Sequence, residues 1–407
     1  MLRFITAGES HGPGLVSVLE GIPAGLEITE DAIRSDLARR QQGHGRGGRM
    51  KIETDYAVIQ SGVRHGRTIG SPISLLIENK DHFTGKGPDA KPWTETMSKE
   101  FTNADFTPIH RLRPGHADTP GITKYNQLDA RNILERSSAR ESASRVAVGA
   151  ICRKFLSEFG IEIHSHVLNI GGVSTDNNQP IDWKLVEESP VKCADHQIGM
   201  LMVKAIDEAR EKGTSLGGIF EIVATGVPIG IGTHIQWDRK LSTQLSAALS
   251  SINAVKGVEF GSGFLLANLS GHEAQDVINP MEEWVEDDKG NVRPWQRNSN
   301  NAGGLEGGMS NGEPIVMRAV VKPIATMIKP LPSVDLTNGL PVNAHYERSD
   351  ITFVPACGVI GEAMVAFVLS KLFLEKFGGD HIDETRSNYD HYISSIGPHS
   401  IKLEDGI

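Results

Sequence analysis

Apolar positions in EITEDAIRSDLARRQQ fall at Ile28, Ala32, Ile33 and Leu37, a helical spacing. This predicts a helix over 27–42, with Thr29 as N-cap and Gly43 as its stop. The next apolar pattern changes period. KIETDYAVIQSGVRHG and SPISLLIE, at 51–66 and 71–78, are β-branched and alternating and read as strands. LVSVLEGIPAG after residue 14 reads as a strand and turn. A run of small apolar residues, Leu134, Ala139, Ala143, Val146, Ala147, Ala150 and Ile151, predicts one helix from about Asn132 to Phe159 with a close-packing face. Strands at 161–170 and 219–226 flank a helix at 195–212, another helix covers 238–254, and PIVMRAVV is a strand leading into KPIAT. Gly358 to Phe377 is apolar on most sides, the pattern of a central helix. The stretch 80–127 has little periodicity and reads as a long irregular region, 280–312 is polar, and 380–407 reads as a tail. With no fixed repeat and no linker, the expectation is a single α/β (α+β) domain over 1–407.

Composition narrows the function classes. Lys and Arg number 41 against 51 Asp and Glu, a net charge of −10, which excludes a protein that coats nucleic acid with an extended basic track. Aromatic residues at 6% leave little for base-stacking platforms, whereas 44 glycines favour tight turns and close backbone approach to ligands. Cys152, Cys193 and Cys357 are far apart with no CxxC pair, which points to a reducing, cytoplasmic setting without disulfides or thiolate metal sites. No uninterrupted apolar run approaches the roughly 20 residues of a spanning helix, so no membrane partner is expected. HExxH, calcium-loop and P-loop motifs are absent, and the histidines are scattered singly, so no metal is expected.

Against this acidic background, arginine and histidine gather in irregular segments. Arg39, Arg40, His44, Arg46 and Arg49 form one group, His110, Arg111, Arg113 and His116 a second, Arg136, Arg140 and Arg145 a third. Any one arginine could be a solvated surface residue. Their concentration in Gly- and Pro-punctuated segments favours a focused pocket for a small polyanion, because the guanidinium fork matches phosphate and carboxylate. His11 in GESHG and His116 in RLRPGHAD are candidates for proton transfer, since an unperturbed imidazole titrates at roughly 6.5. GESHG also matches the GxSxG string of a serine nucleophile elbow, but an elbow needs a helix after the serine, and LVSVLEGIPAG reads as a strand. The glycine loop GHGRGGRM follows a helix and precedes a strand, the reverse of a dinucleotide-binding turn. Ser137 and Ser138 could cap a helix or bind an anion. Arg348 and Asp350 lie two apart near the last helix.

Taken in order, GESHGPG, RQQGHGRGGRM, RPGHAD, ERSSARESASRVAVGA, SINAVKGVEFG, NNAGGLEGGMSNG, KPIAT and ERSD closely resemble the chorismate synthase family, from Phe4 to about Gly379. In that family a histidine often stands where this chain has Ser349, and Pro and Cys are common where it has Ile351 and Thr352. The resemblance implies a β-α-β sandwich of antiparallel sheets and helices, assembled as a homotetramer. It implies anti-1,4-elimination of phosphate from 5-enolpyruvylshikimate 3-phosphate to give chorismate, the last step of the shikimate pathway, with reduced FMN required and no net oxidation. By the same resemblance His11 is the acid toward the leaving phosphate, and His116 stabilises the anionic reduced flavin. Asp350 assists proton removal through flavin N5. Arg40, Arg46, Arg49, Arg113, Arg140 and Arg348 hold the substrate anions. Arg136, Ser137, Ser138, Asn253, Ala254, Gly307, Lys322, Pro323, Ile324, Ala325, Thr326 and Arg348 border FMN. The segments 39–49 and 80–127 are expected to cover the site. Some members reduce their own flavin with NADPH; lacking a nicotinamide fingerprint, this chain is expected to use an external flavin reductase. Two other readings are a flavin-dependent oxidoreductase acting on a phosphorylated carboxylate and an RNA-binding module, the second opposed by the acidic charge.

Overall fold

The computed structural model describes residues 1–47, 54–80, 82, 108–175, 180–286, 292–347 and 349–396, with backbone alone for 281–286 and 292–294. Arg49, Arg348 and most of the expected cover segment, 83–107, lie outside these residues.

Two antiparallel sheets face each other across a layer of helices. The first is built from β1 (Arg3–Ala7), β2 (Gly14–Glu20), β3 (Ala57–Ile59) and β4 (Ile73–Glu78), in the order β1-β2-β4-β3. The second contains β5 (Glu162–Ile170), β6 (Val173–Ser174), β7 (Gly218–Thr225), β8 (Val255–Phe260) and β9 (Ile315–Val321), in the order β8-β9-β7-β5-β6. Between them run α1 (Glu30–Gln41), α4 (Ser142–Ser157), α6 (Leu241–Ser250) and α7 (Val354–Phe377). Helix α4 touches β2 and β4 on one side and β5 on the other; α7 packs on α4, α1, α6, β5 and β7. The result is an α+β β-α-β sandwich. A helix between two sheets must be apolar on most faces, which explains the character of α7. That helix is long and apolar enough to cross a membrane, yet most of its length is buried in this layer. The helices approach tightly at Gly149 of α4, where a Cβ would lie 2.2 Å from Ala363 Cβ.

Several elements follow the sequence pattern closely. Thr29 caps α1, its hydroxyl accepting from Ala32 N–H, although Gln42 rather than Gly43 is the C-cap. The helix expected at 195–212 is α5 (His196–Lys212), capped by Asp195.

Others differ for identifiable reasons. The helix expected over 132–159 is broken: α3 (Arg131–Ser137) ends at Ser138, whose backbone is extended at φ −66, ψ 144. The Ser138 hydroxyl caps a 3-10 turn at Ala139–Glu141 before α4 begins. The strand expected over 51–66 shrinks to β3 and a tight hairpin, Val63–Arg64 with Arg67–Thr68, residues 51–53 lying outside the described set. The helix expected over 238–254 stops at Ser250, and Asn253 and Ala254 form a turn into β8. The polar 280–312 stretch forms part of two antiparallel hairpins, Ile278–Glu286 with Val292–Arg297 and Leu305–Glu306 with Met309–Ser310. Within 80–127 lies a short helix, α2 (Asp118–Tyr125). The expected tail from 380 contains α8 (Ile382–Ser394), which buries Ile382, Thr385 and Tyr389. Tyr389 packs against Phe159, Phe373 and Phe377, aromatic partners that only folding brings together.

Candidate active site

A cavity of about 480 Å³, within the usual size range of small-molecule sites, opens at one end of the helix layer. It collects the β1–β2 turn, the segment after α1, the 113–117 loop, the α3–α4 break, the α6–β8 turn, the segment after β9 and the approach to α7. The turns leading into α4 and α7 both reach it.

The β1–β2 turn carries Ser10 and His11. Gly8 opens it at φ +107, and a Cβ there would meet Gly14 O at 2.3 Å, so the turn requires glycine. Buried Asn79 pins the turn by donating from Nδ2 to Glu9 O (3.1 Å) and Gly12 O (2.7 Å). Ser10 is followed by a strand, as the sequence pattern indicated, and Ser138 Oγ lies 3.2 Å from its Oγ. No strand-to-helix elbow surrounds it. His11 Nδ1 lies 2.9 Å from Glu135 Oε1, and a carboxylate only accepts, so the proton is on Nδ1 and Nε2 is the nitrogen left for the cavity.

The second histidine is backed in the same way. His116 Nδ1 is 2.6 Å from Asp118 Oδ1, while Arg113 grips both oxygens of Asp118 at 2.8 and 2.9 Å. Burial alone would raise the Asp118 carboxyl, but hydrogen bonds from His116 and Arg113 outweigh it and hold it well below the usual carboxylate range.

Arg40 and Arg140 converge on Asp55, and all three side chains are buried. Arg40 Nη2 donates to Asp55 Oδ2 at 2.5 Å, and Arg140 Nη1 to Oδ1; Arg140 Nε also reaches Asn79 Oδ1 at 2.9 Å. Burial pushes the Arg40 guanidinium below its ordinary value, opposed by the charge of Asp55. Two guanidiniums on one carboxylate leave a surplus positive charge beside the cavity. Arg46 Nη1 lies 3.3 Å from Asp350 Oδ2, and Asp350 Oδ1 accepts from Gly47 N–H at 2.6 Å. Glu347 also lines the cavity. Burial opposes its ionisation, but His345, Arg113 and Arg131 pull its carboxyl down to about 2.

The rest of the lining mixes polar and apolar groups. Asn253 Nδ2 donates to Ser137 O at 2.8 Å, and Lys322 N–H to Ala254 O at 2.9 Å, stitching three segments together. Ala254 holds φ +71, an uncommon conformation for a residue with a Cβ. Ile324, Ala325, Leu134 and Phe353 supply apolar surface, and Lys322 Nζ donates to Gly115 O at 2.7 Å. Burial lowers the Lys322 ammonium, helped by Lys256.

Of the residues singled out from sequence, the cavity collects His11, His116, Asp350, Arg40, Arg46, Arg113, Arg140, Ser137, Ser138, Asn253, Ala254, Lys322, Ile324, Ala325 and Thr326. Pro323 is not among the lining residues, although its neighbours are. Arg136 points instead at β1 and donates to Thr6 O at 2.9 Å. Gly307 lies in the Leu305–Ser310 hairpin near His234 and Met309, also outside the lining. Sequence reasoning missed Asp55, Asn79, Asp118, Glu135 and Glu347. Asp118 could have been found two residues after His116, and Glu135 beside Ser137, but nothing local marks Asp55 as the partner of two distant arginines.

A family model described as chorismate synthase matches residues 2–374. The chorismate synthase of Bacillus subtilis is 50% identical over 396 residues, covering 96% of this chain and 98% of that one. The Geobacter sulfurreducens enzyme of the same name is 48% identical over 400 residues, covering 97% and 99%. A crystal structure of chorismate synthase superposes with a TM-score of 0.76 at 41% identity, covering 97% of this chain and 98% of that one. Agreement in sequence and backbone along nearly the full length, cavity segments included, means that this chain belongs to the chorismate synthase family.

Proposed function

We propose that the cavity binds 5-enolpyruvylshikimate 3-phosphate beside reduced FMN and expels phosphate by anti-1,4-elimination, leaving chorismate. Membership of the family makes the chain a phosphate-eliminating lyase of the final shikimate-pathway step. The observation that carries the site assignment is the convergence of Arg40, Arg46, Arg113, Arg140 and Lys322 with two carboxylate-backed histidines, in a chain of net charge −10.

The substrate's phosphate and two carboxylates call for several fixed cations in a space that excludes water, and guanidiniums locked from behind by Asp55 and Asp118 need little reorganisation. His11, its Nδ1–H held by Glu135, would in its protonated form carry a second proton on Nε2 to give to the departing phosphate. Asp350, held by Gly47 N–H and Arg46, would assist proton removal. His116, its Nδ1 held by Asp118, would in its protonated form present Nε2–H and stabilise negative charge on the reduced flavin.

The donor set fits the flavin. Apolar walls at Ala254, Ile324, Ala325 and Leu134 suit a flat ring, the hydroxyls of Ser137, Ser138 and Thr326 suit its polar edge, and Lys322 suits its phosphate. The chemistry that reduced FMN would supply there is transient electron donation with no net redox change. The working enzyme is a cytoplasmic homotetramer that receives reduced FMN from an external flavin reductase. By the family resemblance Arg49 and Arg348, outside the described residues, would add further anion contacts, with Arg348 also bordering FMN.

An anaerobic assay with photoreduced FMN, following chorismate and phosphate, tests this reading. Equimolar products with FMN still reduced after many turnovers are expected. Stoichiometric FMN oxidation would replace it with the oxidoreductase reading.

A further inference from the structure

The carboxylate of Glu135 is almost fully buried, and His11 uses it twice. The His11 backbone N–H donates to Glu135 Oε2 at 2.7 Å, and the ring Nδ1–H donates to Oε1 at 2.9 Å. The Glu135 carbonyl accepts from Ser10 N–H at 3.2 Å, and Arg131, one helical turn earlier on α3, donates from Nη1 to Oε1 at 3.2 Å. One residue thus ties the β1–β2 turn to α3 by main chain and side chain, across 124 positions of sequence. Only a carboxylate fits this pattern: the donors on its two oxygens include a backbone N–H and a guanidinium, neither of which can become an acceptor.

We propose that Glu135 is the positioning residue of His11, holding its Nδ1–H so that the protonated ring aims Nε2–H at the leaving group and is left as the Nδ1–H tautomer once that proton is given. This rests on the reading of His11 as a proton donor. Glu135 does not line the cavity, so it acts through His11 rather than on the substrate. The arrangement parallels Asp118 behind His116, but Asp118 is also gripped by Arg113, a cavity cation, whereas the guanidinium on Glu135 belongs to α3. Loss of Glu135 therefore disturbs His11 without removing a direct partner of Arg40, Arg46, Arg113 or Arg140.

The variant Glu135→Gln keeps the shape and replaces one oxygen with an amide that can only donate. Either orientation of that amide opposes a fixed donor, His11 N–H or Arg131. The expected result is a fall in kcat of about 10–10⁴-fold, the range spanned when a carboxylate behind a functional histidine is removed, with substrate KM within about threefold. Nitrogen-15 NMR of the histidine rings, assigned by comparison with His11→Ala, gives an independent readout. The wild type should show an exchange-protected Nδ1–H for His11 that is shifted or lost in Glu135→Gln. The double variant His11→Ala/Glu135→Gln should turn over no more slowly than His11→Ala alone. Wild-type kcat with an unchanged His11 ring signal in Glu135→Gln would overturn the proposal, as would additive losses in the double variant. Should His11→Ala retain normal turnover, the acid role of His11 fails, yet the ring signal still decides whether Glu135 sets the tautomer.

Discussion

Replacing Asp55 by Asn tests how the cavity holds two arginines side by side. The Arg40, Asp55 and Arg140 side chains are 2%, 0% and 3% exposed, so the carboxylate is the main counter-charge for two guanidiniums that water scarcely reaches. Asparagine can accept from one of them and turns an N–H₂ toward the other. The variant thus leaves both buried guanidiniums without their shared counter-charge and one also without its acceptor, a change of the kind that costs about 3–5 kcal/mol when a buried pair is broken. At a urea slope of about 3 kcal/mol/M, the unfolding midpoint followed by far-UV circular dichroism should fall by roughly 1–1.7 M at neutral pH. The pH dependence has a definite sign. Burial would raise the Asp55 carboxyl, but Arg40 and Arg140 outweigh it, so its folded value lies below the unfolded value of about 3.9. A depressed carboxylate contributes stability that is present above the unfolded value and lost as pH falls through the folded one, so the gap between wild type and variant should close below about pH 4. Inorganic phosphate should also stabilise the variant more than the wild type, because an anion in the cavity replaces part of the missing charge. A midpoint shift under about 0.3 M at pH 7 would refute the argument and mean that the arginines have other compensation.

Three further outcomes are expected. His11→Ala and His116→Ala should each lower kcat by about 10²–10⁴-fold with folding preserved, measured in the anaerobic assay and by circular dichroism; near-normal turnover in either would make that histidine structural. Gly149→Ala should destabilise by about 1–3 kcal/mol in urea titration, because the new methyl would stand 2.2 Å from Ala363 Cβ and 2.4 Å from its Cα; a neutral effect would mean that α4 and α7 can separate freely. Burial pushes the Cys152 thiol up to about 12 and Cys357 higher still, so neither should react with a thiol reagent until the protein unfolds, and fast native labelling of either would contradict the buried helix layer.

What could be read from the chain was whatever depends on neighbours in sequence. The period of Ile33 and Leu37 with the hydroxyl of Thr29 defines α1, the small apolar face of 143–151 defines α4, and the continuous apolar run of 358–377 marks a central helix. The arginine and histidine clusters, and the motifs that carry the family resemblance, were equally visible, because a polyanion site needs those residue types wherever the backbone places them.

What only the tertiary structure decided was which charges meet. Helical propensity runs through Ser138 without interruption, but its hydroxyl is better used to cap a new turn, and that break delivers Ser137, Ser138 and Arg140 to the cavity. Arg40 and Arg140 are far apart in sequence and share Asp55; Glu135 finds His11 across 124 positions. Helix α8, polar enough to read as a tail, forms because Tyr389 has a ring cluster to pack on. Each of these choices depends on desolvation and counter-charge, quantities fixed by what surrounds a side chain in space. Local periodicity carries no information about them.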